Sequence, residues 1–332
     1  MDPDLLAQEK QAIVDKYGGW VQGRLHLGGG VYTRDEPNPD LEVNLRRIVQ
    51  IIADAANKPF DQLRIIDFGC LEGLESIELA HQGAAVVGIE GRERNVVKAE
   101  FAKRALSLSR AEFHLEDVRN VTRARYGEFD VVLCMGILYH LDAPDVFEFL
   151  EQVADMCSHF AIIDTHFSFV GDEVRTYNGR RYYGASYQEH PPSDSREQRL
   201  ARAWASLDNP RSFWFTRPSL FNVLAHVGFT SVLECYIPAH VNQFNDRTTL
   251  LAFKGKRQAL RAFPVTDAVE SEDWPERRPR RLSRLQIQRR RRRWSHRLVR
   301  ALSGDRQRWP YRLARTVLPP PARKAIREHF MS

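Results

Sequence analysis

Three carboxylates stand where three successive apolar runs end. Asp67 sits in IIDFGCLEG, Glu90 closes AAVVGIE, and Asp117 lies just past AEFHLE. After Asp67 come Gly69, Cys70 and Gly73, so an apolar run passes through a glycine turn into a new segment. Such a turn lets backbone approach a ligand closely, because Gly69 has no side chain. The spacing is G-x-x-x-G rather than the G-x-G-x-x-G that cradles a pyrophosphate. Two carboxylates, Asp67 and Glu72, flank Gly69 and favour a cation over a phosphate. A carboxylate at Glu90 can accept two hydroxyls of a sugar, as acidic residues do in nucleotide-binding folds. Asp117, followed by Val118, can receive an amino group.

These residues need a scaffold that lines them up along one edge. Strand-like runs at 63–68, 84–90, 111–116, 129–136 and 160–166 alternate with helix-like segments such as 73–83 and 94–106. That alternation predicts an α/β fold, a parallel sheet with helices on both faces. Ligands in such sheets bind beyond the carboxyl ends of the strands, where the three acidic residues fall. Two further runs, 231–237 and 248–253, follow a helical segment at 218–228 and can pair antiparallel. Upstream, Leu41, Leu45, Ile48, Ile51 and Ile52 share one helical face, so residues 1–60 read as a helical cap broken by a glycine-rich loop. The polar and aromatic stretch 168–213 reads as a long loop acting as a lid. Its tyrosines and tryptophans imply a flat or apolar acceptor.

S-adenosylmethionine meets the demands of this edge. It carries an ammonium, a sulfonium, a ribose diol and an adenine amine, and no phosphate. Asp67 and the turn's carbonyls suit the ammonium, Glu90 the ribose, and Asp117 the adenine. Methyl transfer needs alignment and exclusion of water more than covalent catalysis, so a catalytic triad is not required.

Across about residues 60–254 the chain resembles the class I S-adenosylmethionine-dependent methyltransferases. The resemblance implies a Rossmann-like seven-stranded sheet whose last two strands form a reversed hairpin. It also implies cofactor contacts by Asp67, Gly69, Cys70, Gly73, Glu90, Asp117 and Val118. The segment CMGILYHLDAP is similar to the M-G-x-L-Y-H stretch of the tRNA wobble-uridine carboxymethyltransferases. That narrower resemblance implies carboxy-S-adenosylmethionine as cofactor, contacted by Met135, Tyr139 and Arg247. Ordinary methyl transfer to an oxygen or nitrogen of a small or medium acceptor ranks first, tRNA modification second, and a non-catalytic cofactor-binding scaffold third.

His140 and His166 are candidate bases, since histidine titrates near physiological pH, and Tyr139 lies beside the transferable group. Asp164 and His166 alone are too few for a metal site, and no metal is expected.

The net charge of +6 hides a division. Residues 1–254 carry 27 Lys+Arg against 36 Asp+Glu; residues 255–332 carry 22 against 7. A domain boundary near Lys254 follows, with a methyltransferase body at 61–254 and a basic, partly disordered or helical tail at 255–332. The run RRPRRLSRLQIQRRRRRWSHRLVR in that tail suits nucleic acid, an anionic membrane surface or an acidic partner. The acidic body disfavours tRNA phosphates. Four scattered cysteines, no apolar span of membrane length and an acidic N-terminus without a signal-peptide core predict a cytoplasmic protein.

Overall fold

The computed structural model describes residues 2–235 and 246–256. The Arg-rich run read as a contact surface lies outside the described residues.

The chain opens with α1 (Pro3–Tyr17), β1 (His26–Gly28), β2 (Val31–Tyr32) and α2 (Pro39–Ala55). Both helices carry proline in their first turn, and the Asp2 and Asn38 side chains cap their starts. The central layer follows: β3 (Arg64–Phe68), α3 (Leu74–His81), β4 (Ala85–Glu90), α4 (Glu93–Ala105) and β5 (Ala111–Leu115). Then come α5 (Arg123–Tyr126), β6 (Phe129–Met135), α6 (Asp145–Met156) and β7 (Cys157–His166). The remainder is β8 (Glu173–Tyr177), β9 (Arg180–Gln188), α7 (Arg196–Ala201), β10 (Arg211–Phe215), α8 (Arg217–His226), β11 (Ser231–Cys235) and β12 (Arg247–Phe253).

Seven strands form one sheet in the order β11-β12-β7-β6-β3-β4-β5. The pairs among β3 to β7 are parallel, while β12 runs antiparallel to both β7 and β11. This is the expected Rossmann-like methyltransferase sheet. The chain winds outward from β3 to β5, then crosses back to β6. The crevice between the carboxyl ends of β3 and β6 is therefore the place where the winding reverses, the usual ligand site of open α/β sheets. Because β12 is reversed, its first residue, Arg247, lies opposite His166 at that same edge.

Period-two alternation divides the core between the two faces. Ile66, Phe68, Val132, Cys134 and Ile163 belong to one buried cluster; Ile65, Val131, Leu133 and Ile162 belong to the other. The second cluster also takes Leu6 and Ile13 of α1 and Ile48 and Ile52 of α2, so the N-terminal helices close that face. Each fully buried Leu, Ile or Phe contributes about 1.5–3 kcal/mol of transfer free energy. Breaks in these runs come from Gly and charged residues, which end the strands at the site.

The stretch 168–213 departs from the expected loop. It contains a three-stranded antiparallel sheet, β10-β9-β8. Asn178 and Gly179, both with positive φ, make the two-residue turn between β8 and β9. That geometry matches the right-handed twist of a hairpin and favours Asn-Gly. Some of its aromatics pack inward and others do not: Tyr177 stacks on Phe147 at 4.7 Å and Tyr182 is buried, whereas Phe169 and Trp204 are exposed; Trp214, just beyond it, stacks on Tyr187 and His166. Only its segment from Ala203 to Asn209 reaches the crevice. No helix among the described residues is long and apolar enough to cross a membrane.

Candidate active site

A single continuous cavity opens at the carboxyl edge, over the β3–β6 crevice. Of the residues singled out from sequence, Gly69, Glu90, Asp117, Val118, Met135, Tyr139, His140 and Arg247 line it. Asp67, Cys70, Gly73 and His166 stand behind that wall.

The turn after β3 is built from left-handed backbone. Gly69, Leu71 and Gly73 all have positive φ. A Cβ on Gly69 would meet the Ile137 side chain at 3.3 Å, so glycine is what lets the β3 and β6 loops touch. The N–H groups of Gly69 and Cys70 donate to the Ile89 carbonyl, and Leu71 N–H donates to Glu90 Oε2 at 3.0 Å. Gly73 keeps α3 tight against Phe113, whose ring would lie 3.0 Å from a Cβ there.

Asp67 is buried and accepts a 2.7 Å hydrogen bond from Ser76 Oγ. Burial pushes its carboxyl up to about 7, with the Glu75 charge adding to the rise and the Ser76 hydroxyl opposing it. It stands behind the turn and does not line the cavity. Glu90 uses both oxygens, one on Leu71 N–H and one on Arg92 N–H at 2.8 Å. Burial raises its carboxyl, while Arg92 draws it back down. Its remaining lone pairs face a cavity that it lines. Asp117 caps the turn 118–120 and pairs with Arg119, which also binds Asp145 and Asp208.

Glu72 corrects one step of the sequence argument. Its carboxylate does not face a ligand. It accepts Val21 and Gln22 N–H at 2.8 and 2.9 Å and pairs with buried Lys98 at 2.9 Å. Its charge fixes the N-terminal segment onto the turn. The glutamate of this turn region that does line the cavity is Glu75, in the first turn of α3, whose carboxyl burial raises.

At the β6 end, a Cβ on Gly136 would lie 3.5 Å from the Tyr139 hydroxyl and 3.6 Å from an Arg247 Nη. The two side chains thus converge over bare backbone. Arg247, however, is already engaged: its Nε bonds Asp164 Oδ1, and Thr249 Oγ1 donates to the other oxygen at 2.6 Å. Burial works against the Arg247 charge, but Asp164 and Tyr139 more than restore it. Glu75 also faces this pair, and burial pushes its carboxyl toward the neutral form while the Arg247 charge opposes that. Burial lifts the Tyr139 phenol above its ordinary value.

Tyr139 is clamped by aromatics. His140, His166 and Trp214 surround it at 4.3, 4.6 and 6.0 Å between ring centroids. His166 is bonded through Nδ1 to Asp246 at 3.0 Å, behind Tyr139. That position suits it to support Tyr139 rather than to take an acceptor's proton. His140 does line the cavity, and its Nδ1 lies 2.9 Å from Glu189.

The segment 200–208 is tied down from both sides of the nucleoside region. Arg92 donates to the carbonyls of Leu200, Arg202, Ala205 and Ser206. Arg119 grips Asp208 with two 2.9 Å bonds. Leu207 rests on Gly91, where a Cβ would come within 2.9 Å. Sequence reading missed Gln22, Glu75, Arg92, Arg119 and Glu189, and weighed Asp164 only as a metal ligand. The only local signals were that Arg92 and Arg119 each follow, two residues on, a carboxylate already singled out.

Among the described residues no group of three or more His, Cys, Asp or Glu is placed to hold a metal. The carboxyls of Glu90, Glu75 and Asp164 along the cavity wall and the open backbone of Gly69 fit a nucleoside bearing a cationic sulfur.

Sheet order, glycine turn and strand-end carboxylates define an S-adenosylmethionine-dependent methyltransferase fold. Comparisons with known proteins agree. A family described as a methyltransferase domain matches residues 41–234, and the chain belongs to that family. The solved N-terminal domain of EvdMO1, crystallised with SAH and D-fucose, is 25% identical with a TM-score of 0.57. That match covers 77% of this chain and 98% of that one. The ubiquinone biosynthesis O-methyltransferase of Bartonella tribocorum is 36% identical over 137 residues, 39% of this chain and 49% of the relative. The like-named protein of Agrobacterium fabrum is 35% identical over 96 residues, 28% of this chain and 36% of the relative. The alignments thus span half or less of these curated relatives.

Proposed function

We propose that this domain moves a methyl group from S-adenosylmethionine to a hydroxyl of a small acceptor. The observation that carries the reading is the ion cluster beside Gly136. Arg247 is already paired with Asp164, and Glu75 lines the same cavity. A sulfonium is favoured there and an additional carboxylate is not, which ranks the ordinary cofactor above its carboxylated relative. When bound, S-adenosylmethionine supplies an electrophilic methyl whose sulfur is already a good leaving group. The chain supplies the rest. Glu90 receives the ribose hydroxyls, Asp117 the adenine amine, and Asp67 favours the ammonium from behind the turn. The clamped segment 200–208 shuts water from the nucleoside side. Tyr139 and His140 face the reacting end.

A hydroxyl acceptor is supported by the O-methyltransferase names of the curated relatives and by His140 lining the cavity. Calorimetric titration with S-adenosylmethionine and with carboxy-S-adenosylmethionine tests the cofactor. Tighter binding of the first is expected; tighter binding of the second would overturn the reading. Transfer of labelled methyl to a panel of catechols and monosaccharides then tests the acceptor class, and labelling of amines alone would replace oxygen by nitrogen.

A further inference from the structure

His140 comes from the methyltransferase core, but its partner does not. Glu189 lies just beyond β9, in the inserted sheet that the sequence presents as a loop. Its side chain is 1% exposed. Three donors or donor candidates converge on it: His140 Nδ1 at 2.9 Å, Ser212 Oγ at 2.7 Å and Ser206 N–H at 2.9 Å. Burial opposes ionisation of Glu189, yet the His140 ring and the serine donors hold its carboxyl below the ordinary value. A buried carboxylate with this many donors stays ionised and accepts only. It therefore selects the tautomer of its histidine partner.

We propose that Glu189 is the positioning residue for His140, fixing a proton on Nδ1 and leaving Nε2 to receive the acceptor's proton. The inference rests on the methyl-transfer reading above. The acceptor hydroxyl gives its proton to Nε2 as its oxygen pair forms the new bond to the methyl carbon. The pair of the broken carbon–sulfur bond stays on sulfur, and the imidazolium later returns its proton to water. The buried carboxylate stabilises the imidazolium in between, as an orienting acid does for histidine bases elsewhere. The arrangement assigns the insertion a catalytic purpose beyond covering the cavity. Ser206, which donates to Glu189 from the clamped segment, ties the ring's orientation to closure over the nucleoside. Asn209 Nδ2 adds a 2.8 Å bond to the His140 carbonyl from the same segment.

The test is long-range proton–nitrogen NMR of the full chain labelled with 15N-histidine, with His140 assigned by its loss in His140→Gln. At neutral pH the His140 ring is expected in the Nδ1–H form with Nε2 bare. In Glu189→Gln that preference should collapse toward the mixed tautomers of a free imidazole, and Glu189→Asp should restore it in part. An Nε2–H form in the wild-type chain overturns the proposal without any variant. An unchanged tautomer in a folded Glu189→Gln overturns it too. The spectrum is read with neither cofactor nor acceptor present, so failure to transfer methyl counts against the proposed function and not against this dyad.

Discussion

Arg247 bonds Asp164 diagonally across the ladder between β12 and β7, at the edge where the parallel strands end. The reversed last strand puts a cation among carboxylates that would otherwise repel one another. Removing it in Arg247→Ala strands Asp164 and Glu75 without a counter-charge. A loss of about 1–3 kcal/mol is expected, the range for a charged hydrogen bond whose partner is left behind. Chemical denaturation of Arg247→Ala, Asp164→Asn and the double variant checks it. The double should recover part of the loss, and strictly additive effects would show that the pair is not coupled.

Glu90→Ala should weaken S-adenosylmethionine binding by about 1–3 kcal/mol, because ribose hydroxyls lose a charged acceptor. Part of the loss arises indirectly, since Leu71 and Arg92 N–H lose their partner as well. Calorimetry separates the two. A 2′,3′-dideoxyribose analogue should bind wild type and variant with similar affinity if the ribose contact dominates. Equal affinity of both proteins for S-adenosylmethionine itself would remove Glu90 from the site.

Asp67 gives a pH dependence with a definite sign. An unfolded Asp titrates near 3.8, whereas the folded carboxyl titrates at about 7. The folded chain therefore binds a proton that the unfolded chain releases, and stability falls as pH rises from about 4 through 7. Asp67→Asn keeps the group neutral and should raise the cofactor-free thermal midpoint at pH 8, with little change at pH 4. The same variant should bind S-adenosylmethionine more weakly at pH 8, where wild-type Asp67 is ionised. A midpoint at pH 8 no higher than wild type would count against the buried-acid assignment.

Much of this arrangement was legible before the fold was known, and the rest was not, for identifiable reasons. β3, β4 and β6 announce themselves as aliphatic runs with Gly or an acidic residue at their carboxyl ends, since buried parallel strands read as near-continuous apolar runs. Gly69, Glu90 and Asp117 reach the cavity because each sits at or just past the carboxyl end of a strand, while Arg247 reaches it by opening the reversed β12. The inserted sheet hides because its strands, EVRTY and RRYYGASYQ, alternate Arg and Tyr rather than aliphatics and polar residues. Its Asn178-Gly179 turn was the available signal. Glu72 and Glu75 are three residues apart on the same turn and helix, yet one is buried on Lys98 and the other faces the cavity. Only the packing of the N-terminal segment separates them.

That separation is testable. Lys98 and Glu72 are each 2% exposed, and Lys98 Nζ donates to Glu72 and to the Gly19 carbonyl. Glu72→Ala leaves a buried ammonium unpaired, at a cost of about 3–5 kcal/mol. Folded Glu72→Ala should nonetheless bind S-adenosylmethionine within a few-fold of wild type, whereas Glu75→Ala should be stable and bind poorly. Denaturation and calorimetry on both variants decide it, and the reverse pattern would put Glu72, not Glu75, at the cofactor.

The clamp over segment 200–208 makes the last prediction. Arg92 and Arg119 each stand two residues beyond a carboxylate proposed to hold the nucleoside, and both grip the same stretch of chain. Cofactor contact and segment closure are therefore built from the same two turns. Arg92→Ala deletes four bonds to backbone carbonyls, and Arg119→Ala frees Asp208 from its cation. Both should raise amide hydrogen exchange across 200–208 while leaving the core strands protected, since local opening costs less than global unfolding. S-adenosylmethionine should then leave faster, because its nucleoside side is open to water more often. Bound cofactor should lower exchange in the same segment of the wild-type chain, and exchange indifferent to cofactor would show that the segment is fixed scaffold rather than a closing cover.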